Sequence, residues 1–374
     1  MASDDETAAW VVLTRAPGLS TGVLGAALRS AGGAAALLRL AERELAIAGL
    51  GERTRAYLAG PNARITEREL RWLEAERHRL LPFDDPDFPP LLKSADRCPI
   101  ALYVAGDAAR LAEPQLAIIG SRNPTHQGRE DAFEFAHGLC LRGLIITSGM
   151  AEGIDTAAHR GALAADGSTI AVLGTGIDVV YPGVNRTLAA EIQNRGALLS
   201  ELPLGTPARR THFPQRNRLI AALGLGVLVV QAAHRSGSLL TARLARLAGR
   251  AVFALPGSIH SPLSRGPHAL IRQGAYLTEN PDDILKELNF SSVTLPSRGP
   301  AGTPGPPSES KPQMDKGHKI LLDALGFEPA DLDALVVRTG FKPEAVSSMM
   351  LILELEGHVS SAHGGRYTRV TRSP

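Results

Sequence analysis

Between residues 116 and 255 short runs of apolar residues recur, separated by longer stretches of mixed polarity. The runs are Leu116–Ile119, Leu144–Ile146, Thr169–Leu173, Ala197–Leu199, Val227–Val230 and Ala251–Leu255. Each is apolar nearly throughout instead of alternating, as in strands covered on both faces. Between them, Arg129–Arg142, Asp155–Ala165 and Leu239–Ala248 read as amphipathic helices. Strand and helix in turn predict βαβ units, hence an α/β domain built on a doubly wound, Rossmann-like parallel sheet over residues 81–290, closing near Leu288.

The flanks have other patterns. Residues 1–80 place Trp10, Leu13, Leu24, Leu28, Leu37, Leu38 and Leu45 in short segments broken by Pro17-Gly18, Gly32-Gly33 and Gly49-Leu50-Gly51. This predicts a small helical module of the helix-hairpin-helix or sterile-alpha-motif kind, read here as a packing or interaction domain. The prolines of Asp84–Pro90 fix an extended connector. Residues 291–315, rich in Ser, Pro and Gly, read as a flexible linker. Residues 316–374 carry helix, turn and helix signals before two Gly-containing hairpin segments, the order of a winged helix. That module holds seven Lys and Arg against seven Asp and Glu, and Pro343–Glu356, its would-be reading helix, has three acids and no Lys or Arg. A groove reader needs the opposite, so the module is read as a contact for protein.

Composition narrows the classes. A net charge of +2 over 374 residues confines any nucleic-acid site to one locality. Two cysteines, Cys98 and Cys140, make neither metal spacing nor a disulfide framework and fit a reducing cytosol. The acidic start lacks the apolar run of a signal peptide. The longest apolar stretch, Leu219–Ala233, is interrupted by Gly224, Gly226 and Gln231, too soon for a bilayer span.

Candidate chemistry collects at the strand ends. Gly205–Ile220 contains Arg209, Arg210, Arg216 and Arg218 and no acid, together with Phe213 and Asn217. Guanidinium forks suit phosphate oxygens, and an aromatic ring offers a stacking face to an unpaired base. Gly120-Ser121-Arg122, the Gly149 to Gly153 turn, Gly174-Thr175-Gly176 and Ser236-Gly237-Ser238 fall beyond the carboxyl ends of predicted strands. Small residues there let backbone amides approach an anion. A row of such turns suits a polymer of phosphates better than one nucleotide. Asp155 reads as a helix cap and Asp178 as a brace of its glycine turn. His159, His212 and His234 form no ligand triad, so neither a metal nor another cofactor is expected.

The rival reading is a nucleotide-binding or nucleoside-monophosphate-processing enzyme. The dinucleotide fingerprint is absent after the first run, which continues Gly120-Ser121-Arg122-Asn123-Pro124-Thr125, and no P-loop occurs. Ser236–Arg243 keeps the small residues of a phosphoribohydrolase loop without its glutamate.

The blocks Ala117–Arg122, Ser148–Asp155, Ala171–Asp178 with Tyr181-Pro182, Phe213–Arg218, Ser236–Ala242 and Pro256–Ser258 together resemble the DprA/Smf family of DNA-processing proteins. Gln231 and Gly266-Pro267-His268 depart from that pattern. The resemblance implies a non-catalytic, homodimeric protein of the cytoplasm. Such a protein binds and protects single-stranded DNA and hands it to the RecA recombinase in natural transformation. It also implies a helical module before the sheet and a winged helix after it.

Overall fold

All six apolar runs become strands of one nine-stranded sheet. The computed structural model describes residues 4–290, 316–326, 329–362 and 364–370. In chain order the strands of the large sheet are β1 (His78–Pro82), β2 (Ala101–Gly106), β3 (Gln115–Ile119), β4 (Ile145–Ser148), β5 (Thr169–Val172), β6 (Ala197–Ser200), β7 (Gly226–Val229), β8 (Ala251–Ala254) and β9 (Tyr276–Leu277). In space they run β1-β2-β6-β5-β4-β3-β7-β8-β9. The strands from β6 to β9 are parallel, while β2 pairs antiparallel with both β1 and β6.

Side chains of successive strand residues point to opposite faces, and both faces are covered. Leu116, Ile118, Ile146 and Leu228 pack against helices Ile154–Ala164 and Pro281–Glu287 and against Ala132–Cys140 of helix His126–Leu141. Ala117, Ile119, Val227 and Val229 pack on the other face against helices His212–Leu223, Gly237–Leu247 and Arg265–Arg272. This is the doubly wound arrangement that uniform apolar runs predict. Each fully buried Leu, Ile or Val there contributes roughly 1.5–3 kcal/mol.

The first six helices, Asp4–Thr14, Thr21–Ala31, Ala34–Leu38, Glu42–Ile47, Glu52–Leu58 and Ala63–Leu73, enclose Trp10, Leu13, Leu24 and Leu37. They are joined to the sheet by a buried polar cluster. Glu69 accepts Arg15 Nε at 2.8 Å and the Tyr103 hydroxyl at 2.6 Å, and Arg15 also reaches the Leu204 carbonyl at 3.2 Å. Burial, and then Glu69 itself, hold the Tyr103 phenol well above its ordinary pKa. The strand β1 straddles residue 80, so helical module and sheet share an edge strand.

The described residues fall into two compact units, and residues 124–131 group with the C-terminal one. In that unit helices Lys316–Leu325, Leu332–Thr339 and Pro343–Leu355 are followed by strands Val359–Ala362 and Arg366–Arg369. A bridge at Ala330–Asp331 completes a three-stranded sheet in winged-helix order. Residues 291–315, read as a linker, lie outside the described residues. No helix among the described residues is long and apolar enough to cross a membrane.

Candidate nucleic-acid interface

The chain lays down β3 to β6 in one direction across the sheet and β7 to β9 in the other, so the order reverses between the neighbours β3 and β7. Loops leaving the two strands there diverge and open a crevice. Gly120-Ser121-Arg122 leaves β3, and residues 231–238 leave β7. The loops are tied together at the base of the crevice. Ser121 N donates to the Gln231 carbonyl at 2.6 Å, and the Ser238 hydroxyl donates to the Gly120 carbonyl at 2.7 Å. A Cβ at Gly120 would come within 2.6 Å of Ile154 Cγ1 and 2.9 Å of the Gln231 oxygen, so only glycine permits this closure. Ser236 accepts Ser238 N at 3.2 Å and caps helix Gly237–Leu247, whose first residues line the crevice.

The resulting cleft, about 350 Å³, is lined by Gly120, Ser121, Arg122, Phe213, Asn217, Arg235 and Ser236–Ser238 among others. Arg122 and Arg235 are exposed and make no hydrogen bond or ion pair among the described residues. The Arg122 guanidinium lies 5.7 Å from the centroid of the Phe213 ring. Phe213 is half-buried. Its Cδ1 would lie 2.8 Å from a Cβ on Gly174, and its ring is 5.6 Å from that of Tyr181 at an interplanar angle of 43°. The cleft thus holds two cations free among the described residues, the Ser236-capped start of a helix and the Phe213 ring, with Tyr181 beside that ring but outside the cleft lining.

The arginine stretch is a helix, and its arginines have separate fates. Pro214 stands in the first turn of His212–Leu223, where a missing N–H costs nothing. Arg216, Leu219, Ile220 and Leu223 then recur at i, i+3, i+4 and i+7 on the inward face. Arg216 is only 5% exposed. Its Nη1 donates to the carbonyls of Gly149, at 2.6 Å, and Val172. Burial pushes its pKa down to about 10, with Asp155 opposing, so it stays charged at neutral pH. Arg216 is therefore a strut behind the cleft wall more than a free phosphate ligand. Arg218 turns to the other side, where it meets Glu201 and the Arg97 carbonyl, and is not on the cleft. Arg209 and Arg210 are exposed just before the helix, outside the cleft lining, and their side chains make no hydrogen bond or ion pair among the described residues.

The carboxylates behave differently from the sequence reading in one respect each. Asp155 is not an N-cap. It lies in the first turn of its helix and accepts Gly149 N at 3.1 Å and Ala151 N at 3.2 Å, holding the turn after β4. Burial raises its pKa, against the opposing charge of Arg216. Asp178 braces a neighbouring loop, not its own turn, by accepting Gly205 N at 2.7 Å and Arg68 at 2.6 Å. Gly153 precedes helix Ile154–Ala164 at φ 84°, and Gly176 N donates to the Thr206 carbonyl at 2.9 Å, so both shape loops without lining the cleft. His159 is buried on Thr169 at 2.7 Å, and burial followed by Arg216 lowers its pKa to about 3. Among the described residues no group of His, Cys, Asp and Glu is placed to hold a metal.

Residues 79–289 match the family DNA recombination-mediator protein A, and residues 305–365 match the DprA winged helix domain. The chain belongs to the DNA recombination-mediator protein A family. A family member, protein Smf of Escherichia coli strain K12, is 42% identical over 320 residues, spanning 85% of this chain and 84% of its own. The X-ray structure of DNA processing protein A from Streptococcus pneumoniae aligns with a TM-score of 0.65 at 37% identity, covering 75% of this chain and 98% of that one. A structure of DNA processing protein A from Helicobacter pylori, concerned with its single-stranded DNA binding mode, aligns with a TM-score of 0.52 at 30% identity, covering 58% of this chain and 97% of that one. Family membership makes this a DNA-processing protein with a DprA-like α/β core and a C-terminal winged helix.

Arg235 was not among the candidates from sequence, and Tyr181 entered only as part of a family block. Both follow strand ends, but nothing in the chain shows that the end of β7 abuts the end of β3. Strand order, which long-range pairing decides, is what brings Arg235 opposite Arg122.

Proposed function

We propose that the chain binds single-stranded DNA in the cleft between the ends of β3 and β7, and that it is a binding protein and not an enzyme. The observation that carries this reading is the pair Arg122 and Arg235, exposed and unpaired among the described residues, in one cleft with the Phe213 ring, which Tyr181 flanks. Cations and amides meet phosphates, while rings stack on bases without regard to most of their identity. Asp155 is committed to two amides and Arg216, so it is not poised as a base. The nucleotide-enzyme reading fails if incubation with nucleoside monophosphates releases no free base, and replaces ours if it does.

The direct test is fluorescence anisotropy with labelled oligo-dT over a salt series. Affinity falls steeply with salt in the parent, and Arg122→Ala weakens binding and flattens the slope. Equal binding by parent and variant at low salt places the DNA elsewhere. Gly120, Ser121, Arg122, Gly149, Phe213, Asn217 and Ser236–Ser238 form or back the contact surface in this reading, and Arg209 and Arg210 extend it along the strand. The protein acts in the cytoplasm as a homodimer whose two grooves raise apparent affinity through effective concentration, protects incoming DNA and passes it to RecA during transformation and recombination. Sedimentation showing only monomers at micromolar concentration removes the dimer. RecA filament assembly unaffected by the protein removes the transfer step.

A further inference from the structure

A second cavity of about 200 Å³ shares a wall with the cleft, formed by Arg122, Ala151, Phe213 and Arg216. The two differ in chemistry. The cleft has cations and capped amides, and its one carboxylate, Asp155, is consumed by Gly149 and Ala151. The second cavity adds Asn123, Glu152, Tyr181 and Pro182. Glu152 is exposed and makes no hydrogen bond or ion pair among the described residues. A free carboxylate beside a phosphate site repels the backbone and can accept from a ligand group that donates protons.

Bases are those donors. Resting on the reading of the cleft as a single-strand site, we propose that this cavity receives one unpaired base on Tyr181 and selects guanine through Glu152. A carboxylate has two acceptor oxygens and no donor. Guanine alone presents two adjacent donors on its pairing edge, N1–H and the N2 amine. Adenine and cytosine offer one amine beside a ring nitrogen acceptor that repels a carboxylate, and thymine sets its single N–H between two carbonyls. The exposed Asn123 side chain, on the same cavity, supplies an N–H for guanine O6. Phosphates in the cleft and the base in the second cavity then lie on either side of the wall that Phe213 shares.

The test is anisotropy competition by the full chain, in buffer with EDTA, using short oligo-dT carrying one central dG, dA, dC or deoxyinosine. The expected result is about five- to tenfold tighter binding for the dG oligomer than for dT or dA. Deoxyinosine, which lacks the N2 amine, falls between them. Glu152→Gln lowers dG affinity and raises dT affinity, so the ratio falls to about one, and Glu152→Ala does the same. Equal affinity for dG and dT in the parent, or a preference that survives both variants, overturns the proposal. Oligo-dT binding that depends on Arg122 but shows no guanine preference sinks this inference alone. Absence of any Arg122-dependent binding sinks the single-strand reading with it.

Discussion

The cleft after β3 and β7 and the C-terminal winged helix are both on folds that serve nucleic acid, yet their surfaces are opposites. The cleft shows Arg122 and Arg235, unpaired among the described residues, with the Phe213 ring beside Arg122. Helix Pro343–Leu355 of the winged helix shows Glu344 and Glu354 and leaves Leu351, Ile352 and Leu355 outward, the last 80% exposed. Of its two methionines, Met350 is fully buried with Val346 and Leu353, and Met349 packs against that core. The outward apolar group is thus an edge of Leu351, Ile352 and Leu355. A fold name does not assign a partner. The residues that the fold leaves unpaired do.

The largest expected effect tests whether the wall behind the cleft is structural. Arg216→Ala leaves Asp155 buried without its counter-charge and the Gly149 and Val172 carbonyls without a donor. Thermal or urea unfolding should show a loss of about 3–5 kcal/mol. A stable Arg216→Ala protein that has lost only DNA affinity would return Arg216 to the ligand set.

Acid should act on the same wall. His159 has a folded pKa of about 3, against about 6.5 for a free imidazole. Because the folded value is the lower, the unfolded chain takes the proton first. This contribution is intact above about pH 6.5 and is lost as pH falls toward 3, by roughly 2 kcal/mol between pH 6.5 and 5. Unfolding free energies of the parent and His159→Gln should therefore converge on acidification. Parallel curves would mean that the imidazole is charged in the fold.

Binding differences are smaller. Phe213→Ala should cost about 1–3 kcal/mol of oligo-dT affinity if a base stacks there. An unchanged Kd would make the ring a packing element over Gly174. Arg122→Ala and Arg235→Ala should each weaken binding about fivefold near 0.1 M salt and reduce the log-log salt slope by about 0.7, with unfolding curves unmoved. Similar effects from Arg218→Ala would blur the division between cleft and strut. Least of all, a chain ending near Phe290 should hold oligo-dT within about threefold of the parent, since the winged helix starts from a neutral charge sum. A tenfold loss, or a duplex gel shift by residues 316–374 alone, would reverse the contrast between the two regions.

Much of the fold was legible because burial writes itself on local sequence. Strands covered on both faces cannot alternate, so β3 to β8 stand out as apolar runs. The edge strand β1 does not, since His78-Arg79 and Pro82 carry little apolar signal and an edge tolerates proline. The strand β2 is wholly buried, but it follows a proline-rich segment that masked it, and the two-residue β9 is set by pairing with β8 alone. The arginine stretch could have been read as a helix from Arg216, Leu219, Ile220 and Leu223, whose spacing already turns Arg216 inward.

The sequence by itself determined the sheet's class, the order of small-residue turns and the blocks that mark the family, because each depends on residues close along the chain. Only the tertiary structure decided which arginines are free. Arg122 and Arg235 are more than a hundred residues apart in the chain and meet because β3 pairs with β7. Arg216 and Arg218 are two residues apart and part ways because successive helix positions face different surroundings. A guanidinium's role follows from which acceptors the fold brings within reach, and long-range pairing is what a local pattern does not contain.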